Sequence, residues 1–407
     1  MCWRNAIEKP RRISARLVVK ATLCALLTMA FLFSVGCSPD ARELNELIIV
    51  MGIGLDVDMD TPGNIKMTAQ IVLPQRVSSG GGDSSSGGSE RAFINVSSAA
   101  SNTFQAVRQY THLVPGKLYI SHNQLIVIGR DLAEQGISRP LDFFSRARET
   151  RPTLNLLVAD TTAEEAMSIQ PDLNLMPANY LDKLIEGQSA NSQSINTDMI
   201  DYVSAMQSKT LSLVVPIVRL TTNAGTPVQM LEGVAVFKGD VMVGELSTTE
   251  TRGLLWAKNL ITSGVVNLGI EDGIATFEIA NAKSSAKPVV SPDGKVTIEI
   301  TVSSQMKLTE QTCTANLATQ EYMRQLKGMI ETLIDRRIQQ ALEKAKALHA
   351  DIFGYGELVH KHYNNLWGDM EPRWDEIFQE LTVNVTADVS IISTGAIEEP
   401  VWDHEDG

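Results

Sequence analysis

The sequence predicts a mixed α/β chain of the α+β class, organised as three domains behind a short N-terminal leader. Three observations carry this. Helix-period and strand-period segments alternate over residues 44–170, the pattern of one α/β unit. Val296, Ile298, Ile300 and Val302 alternate with Thr297, Glu299, Thr301 and Ser303, a strand buried on one face. Residues 316–350 then read as one long helix without a proline, with Met323, Leu326, Ile330, Leu333, Ile334, Ile338, Leu342, Ala345 and Leu348 recurring every three or four positions. A chain of 407 residues is also longer than a single core normally organises.

The first domain is placed at 37–222. Apolar runs at 47–55 and 65–73 flank Asp60-Thr61-Pro62-Gly63-Asn64, a turn signal, and predict a hairpin. Residues 78–89 are Ser and Gly with one Asp, a flexible loop that can bury nothing. Strand-like sequence resumes at Ala92. A helix is expected over 101–110, capped by Ser101 or Asn102, then a strand at 124–128, helices at 131–134 and 140–148, and a strand at 154–159. Thr162 followed by Glu165 is a capping pair for a helix over 162–168. Helical segments at 178–186 and 199–207 flank a polar stretch at 188–196, and 211–220 reads as a strand.

The middle domain is placed at 223–282. Strands at 231–237 and 241–246 are joined by Lys238-Gly239-Asp240. Ser247-Thr248-Thr249-Glu250 is a capping box, in which the Ser oxygen and the Glu carboxylate serve the first turn reciprocally, and its helix should run to about Leu260. Strands at 265–268 and 274–279 follow. The C-terminal domain, 283–400, is expected to be an antiparallel sheet packed on the helix at about 316–350. Ser291-Pro292-Asp293-Gly294 leads into its first strand, and the alternation of Val383, Val385, Ala387, Val389 and Ile391 marks its last.

The leader has the parts of a secretory signal peptide. Arg4, Lys9, Arg11, Arg12, Arg16 and Lys20 precede an apolar run at 21–35, which ends in Ser34-Val35-Gly36-Cys37. The run of 15 residues is shorter than the roughly 20 needed to span a bilayer as a helix. A Cys directly after small residues resembles the lipobox of bacterial lipoproteins, although Ser34 stands where a branched aliphatic residue is usual. The resemblance implies cleavage between Gly36 and Cys37 and diacylglyceryl transfer to the Cys37 thiol. Two acyl chains suffice for stable anchoring, at about 0.8 kcal/mol per buried methylene. Residues 1–36 are therefore assigned as a lipoprotein signal peptide.

Composition narrows the function. The six basic residues of 1–36 stand against one acid, Glu8, so the remainder carries 29 basic and 47 acidic residues, a net −18. That charge argues against nucleic acid as a partner and against broad attachment to anionic lipid. Cys2 and Cys24 leave with the leader and Cys37 takes the lipid, so Cys313 has no disulfide partner in the chain and no Cys-based zinc site can form.

Four segments resemble the C subunit of the spore germinant receptors, the Ger(x)C family of spore-germination lipoproteins. The first is Arg42-Glu43-Leu44-Asn45-Glu46-Leu47 running into Val50-Met51-Gly52-Ile53-Gly54-Leu55-Asp56. The second is Gly116-Lys117-Leu118-Tyr119-Ile120-Ser121-His122, with Leu141-Asp142-Phe143-Phe144-Ser145-Arg146 after it. The third is Gly233-Val234-Ala235-Val236-Phe237-Lys238-Gly239-Asp240, followed by Glu250-Thr251-Arg252-Gly253-Leu254-Leu255-Trp256. The fourth is Asp351-Ile352-Phe353-Gly354-Tyr355-Gly356-Glu357, then Trp374-Asp375-Glu376-Ile377-Phe378. The Trp-Asp pair usual after the family's lipidated Cys is replaced by Ser38-Pro39-Asp40-Ala41. The resemblance implies three α/β domains in an elongated arrangement, no catalysis, and a lipid anchor on the outer face of the inner spore membrane. It also implies a polytopic A subunit and a polytopic B subunit as partners in sensing small nutrients. The competing reading is a lipoprotein solute-binding protein of an importer, which requires two doubly wound lobes around a cleft.

Other motifs point to little chemistry. Gly52-Ile53-Gly54 lacks the third glycine of a dinucleotide fingerprint and reads as a strand end. Asp56, Asp58 and Asp60 lack the Gly and Glu of a calcium loop and read as a solvated hairpin tip. His349, Glu357, His360 and His362 read as helix-end and surface residues rather than a zinc site. No nucleophile-base constellation, Walker loop or nucleophile elbow is present, and no metal or cofactor is expected. Arg252, Trp256, Trp367 and Trp374 are the candidates for contact with a partner; the alternative is that Arg252 bonds a neighbouring segment across a domain seam and that the tryptophans pack a loop over the sheet.

Overall fold

The structure, a computed structural model, describes residues 47–74, 91–171, 176–270 and 273–393, together with Val19, Lys20 and Leu23. All of the leader's apolar run except Leu23, the Gly36–Cys37 junction and the loop at 78–89 lie outside the described residues. Ile48–Gly407 forms one unit and is described by itself.

A large mixed sheet organises the first half. Its strands are β1 (Leu47–Val57), β2 (Ile65–Val72), β3 (Phe93–Ala100), β4 (Lys117–Tyr119), β5 (Leu125–Gly129), β6 (Asn155–Ala159), β7 (Val214–Asn223), β8 (Thr226–Lys238) and β9 (Val241–Leu246). The order is β3-β2-β1-β5-β6-β7-β8-β9, with β4 also on β1. β1, β5, β6 and β7 run parallel, whereas β2 and β3 at one side and β8 and β9 at the other are antiparallel. Between the strands come α1 (Thr103–Leu113), α2 (Arg130–Gln135), α3 (Ser138–Arg146), α4 (Ala163–Ala166), α5 (Pro177–Asn191) and α6 (Met199–Gln207). β5 is buried along its whole length, since helices cover both faces of the parallel centre. Asn102, not Ser101, caps α1 by accepting from the Gln105 N–H. The expected boundary at 222/223 falls inside the β7–β8 hairpin, whose two-residue turn is Ala224-Gly225, both at positive φ.

Gly52-Ile53-Gly54 lies within β1, not at its end. A Cβ on Gly52 would stand 2.7 Å from the Ala178 Cβ, and one on Gly54 would stand 3.1 Å from the Ala163 Cβ. These glycines let α4 and α5 lie directly on the strand. The solvated hairpin tip also needs correction. Asp60 is exposed, but Asp56 and Asp58 are buried. Asp56 accepts the backbone N–H groups of Ala163 (2.7 Å) and Glu164 (3.1 Å), so it ties the end of β1 to the first turn of α4. Burial pushes its pKa up and those two hydrogen bonds oppose the rise.

Beside it, Lys66 Nζ meets Glu164 Oε2 at 2.6 Å, and this bond holds the Glu164 pKa below its usual 4.5. The stabilisation from this carboxylate is therefore complete above that value and is lost as pH falls through the lower folded-state value. Lys66→Met should remove part of the acid sensitivity. The expected result is a smaller gap between the melting temperatures at about pH 6 and about pH 3 than in the parent chain.

The second half is built on a four-stranded sheet and one long helix. α7 (Thr248–Ala257) leads to β10 (Val265–Ile270), β11 (Gly273–Val290) and β12 (Val296–Gln311). Next come α8 (Gln320–Ala347), α9 (Tyr355–His362), α10 (Asn364–Met370), α11 (Trp374–Glu380) and β13 (Thr382–Ser393). The order is β10-β11-β12-β13. The sheet is antiparallel from β10 to β12, and β13 returns parallel to β12 after the helical crossover. The predicted Ser247–Glu250 capping box is present. α7 stops at Ala257, short of Leu260, because Asn259 adopts the left-handed conformation at φ 60°. α8 is shorter than 316–350: Thr319 caps its start by accepting from the Tyr322 N–H, and His349 at φ 52° ends it. Its 28 residues span about 42 Å. Leu326, Ile330, Ile334, Ile338 and Leu342 pack with Val296, Ile298, Ile300 and Val302 in one core. That core also takes in Val234, Val236 and Leu246 of the first sheet.

Candidate functional site

A buried carboxylate with four hydrogen-bond donors lies after the long helix. Asp351 is 3% exposed. Its Oδ1 accepts from the N–H groups of Gly354 (2.9 Å) and Tyr355 (3.1 Å). Its Oδ2 accepts from Gly356 N–H (2.8 Å) and from Trp374 Nε1 (3.1 Å). Burial pushes the Asp351 pKa up, and all four bonds act against that rise. Gly354 is at φ 75°, which lets the chain turn around the carboxylate. The backbone C=O of Asp351 accepts from Ser212 N–H at 3.0 Å, so this turn also secures the approach to β7.

Trp367 and Trp374 are 6% and 2% exposed, with ring centroids 5.5 Å apart, and His360 stacks on Trp367 at 5.1 Å. Their side chains are interior. The candidate partner surface at Trp367 and Trp374 is thus packing within the chain. Glu357 accepts from the Ser208 hydroxyl and His362 bonds the Leu358 carbonyl, so the histidines and Glu357 have separate tasks. Among the described residues, no group of three His, Cys, Asp or Glu side chains could hold a metal ion.

Arg252 and Trp256 are also interior, at 7% and 0% exposure, and do not present a surface to a partner. They sit on α7, which follows the last strand of the large sheet and packs against α8. Arg252 Nη1 donates to the Val265 carbonyl of β10 at 2.7 Å, a bond to a neighbouring segment inside the expected middle domain 223–282 and not across a boundary between domains. Burial, with Arg337 nearby, lowers the Arg252 pKa to about 10. The helices approach so closely that a Cβ on Gly253 would lie 2.0 Å from the Arg337 carbonyl oxygen.

A cleft of about 490 Å³ opens beside the end of α7. Its walls come from the end of α5, residues 192–197, the first turns of α6, residues 211–214, and Leu255 to Thr262. Ser192 at φ 49° turns the chain out of α5, and its Oγ accepts from the Thr262 and Ser263 N–H groups. Lys258 reaches the cleft from the end of α7 and Asp201 from the first turn of α6. Sequence reasoning missed both. Lys258 carried a signal, as the one charge between Leu254 and Ile261.

This arrangement of two sheets joined through α7 has a counterpart among solved structures. The crystal structure of the GerBC protein aligns with a TM-score of 0.56 at 21% identity, covering 87% of this chain and all of that one, and so shares its fold. Residues 40–220 match the spore germination protein N-terminal domain, and residues 232–395 match the spore germination B3/GerAC-like C-terminal domain. The chain belongs to the Ger(x)C family of spore germination proteins. Spore germination protein KC of Bacillus subtilis is 26% identical over 95% of this chain and 98% of its own. Spore germination protein B3 of the same organism is 25% identical over 88% and 94%, and GerQC of Bacillus cereus 21% over 92% and 99%.

Proposed function

We propose that this chain is a lipid-anchored, non-enzymatic subunit of a membrane germinant receptor, required for spores to germinate in response to small nutrients. The observation that carries the reading is the pair of spore germination domains, matched in order over 40–220 and 232–395, directly behind the Gly36–Cys37 junction. A diacylated Cys37 holds the acidic body at the outer face of the inner spore membrane, where it works with polytopic A and B subunits. No helix among the described residues is long and apolar enough to cross a membrane. The importer reading is disfavoured because β10, β11 and β12 form an antiparallel sheet rather than a second doubly wound lobe.

The test is Cys37→Ala beside the parent chain in spore membranes. The variant should move from the membrane to the soluble fraction, and the parent chain should bring A and B subunits down with it. Mass spectrometry of the parent's mature N-terminus should show a diacylated Cys37. An unmodified thiol, or recovery of transporter permeases, would refute the proposal.

A further inference from the structure

We propose that the end of the large sheet at which β1 begins is a membrane-facing surface. It rests on anionic phospholipid through Arg148 and Arg151, with Leu113 and Ile200 entering the headgroup layer. The inference builds on the reading of Cys37 as the membrane anchor.

The register gathers this end. Gly52 of β1, Leu125 of β5 and Asn155 of β6 stand side by side in the parallel centre, so the segments that lead into these strands lie together. Lys117 opens β4, which pairs with β1, and its Nζ meets Glu149 at 3.4 Å. The Leu154 carbonyl accepts the Met199 N–H, which brings the first turn of α6 to the same end. Nine residues separate Cys37 from Leu47, a reach of at most about 35 Å when fully extended. The 11 residues of β1 put the opposite end of the sheet about 36 Å further on.

The two ends differ in charge. Arg146, Arg148 and Arg151 are exposed at the end where β1 begins. The acids there are engaged: Asp142 holds Arg146, Glu149 meets Lys117, Asp182 accepts from Asn155, and Asp198 accepts the Ile200 and Asp201 N–H groups. Arg148 and Arg151 form no ion pair among the described residues. At the far end Asp56, Asp58, Asp60, Asp160 and Glu164 gather past β1 and β6, with Lys66 paired to Glu164. The Debye length at physiological salt is about 8 Å, so lipid beside the arginines is screened from acids a strand length away. A body of net −18 can thus set this end on a negative surface.

The same end is apolar between its charges. Leu113 is 53% and Ile200 51% exposed. A groove of about 270 Å³ runs between the end of α3 and the start of α6, with Phe144, Pro152, Met199 and Val203 in its walls beside Arg151. Guanidinium groups pair with phosphate oxygens, and aliphatic side chains beside them enter the boundary between headgroup and acyl chain. An acidic protein would suit the arginines as well, but the tether places a bilayer within reach.

The experiment uses residues 37–407, which contain the whole unit Ile48–Gly407. A hexahistidine tag in place of Cys37 tethers them to vesicles carrying a nickel-chelating lipid, so acylation plays no part. A fluorophore is attached at Thr153→Cys or, at the opposite end, at Asp60→Cys; Cys313 is buried. Quenching by doxyl-labelled lipid reads contact. On vesicles of phosphatidylcholine with phosphatidylglycerol, quenching is expected at 153 and not at 60, and it should vanish on phosphatidylcholine alone. Arg148→Gln combined with Arg151→Gln should lower the ratio of docked to free body at least about tenfold, at unchanged circular dichroism. No quenching at 153, stronger quenching at 60, or undiminished quenching in the double variant or on the neutral vesicles would overturn the proposal. Failure of the anchor reading would show separately, as an unmodified Cys37 thiol in the native protein.

Discussion

Gly253→Ala should destabilise the chain by about 2 kcal/mol or more, seen as a lower midpoint of chemical denaturation. The substitution ordinarily stabilises a helix interior, by about 1 kcal/mol, because alanine restricts the unfolded chain. Here the geometry reverses the sign. The new methyl would sit 2.0 Å from the Arg337 carbonyl oxygen, 2.6 Å from its carbon and 3.0 Å from the Ala341 Cβ. The first two atoms belong to the backbone of α8, so no side-chain rotation relieves the overlap. α7 and α8 must move apart, and the core shared by Trp256, Ile338 and Ala341 loosens with them. Gly328→Ala provides the control. Gly328 also lies within α8, but nothing stands within 4 Å of a Cβ there, so the same change should be neutral or raise stability by up to about 1 kcal/mol. Equal effects at the two glycines would show that α7 and α8 are not in the close contact described.

The parts of the fold set by local chemistry were legible. The β12 alternation, the apolar stripe of α8 and the Ser247–Glu250 box all stand where the sequence indicates, because a period or a cap acts within a few residues. β11 extends well past the expected 274–279, to Val290. Its polar outer half, with Pro288, did not read as a strand. Beyond Glu278 it no longer pairs with β10, and an edge strand tolerates proline. The buried carboxylates were illegible for another reason. Asp56 is held by Ala163 and Glu164, more than a hundred residues away, and nothing near it in sequence announces that. Arg252, Trp256, Trp367 and Trp374 show the opposite failure. Large aromatic and guanidinium groups suit an interface core and a domain core equally well, and only the packing distinguishes them. The Asp351–Glu357 segment stood out as a family signature, but the carboxylate that organises it became apparent only from its four donors.

Asp351→Ala should be more damaging than Gly253→Ala, with an expected loss of about 4 kcal/mol or more. The change strands three backbone N–H groups and the Trp374 indole in a buried site, at about 1–3 kcal/mol for each unpaired donor. Losses within one network do not add fully, and removing a buried charge returns part of its desolvation penalty, so the total stays below the simple sum. The two oxygens divide the donors two and two, which predicts an ordered series. Trp374→Phe removes one donor while keeping an aromatic ring, and should have the smallest effect. Asp351→Asn keeps one acceptor oxygen but turns an NH₂ group toward the other pair, and should be intermediate. Asp351→Ala should be the worst. Because the Asp351 carbonyl also receives the Ser212 N–H, the damage should spread to the approach to β7. Hydrogen exchange at Gly354, Tyr355, Gly356 and Ser212 would show it, with all four amides losing protection together in Asp351→Ala. Retained protection at Gly354 and Tyr355 in that variant would mean that those amides have another acceptor, and that the carboxylate does not hold the turn.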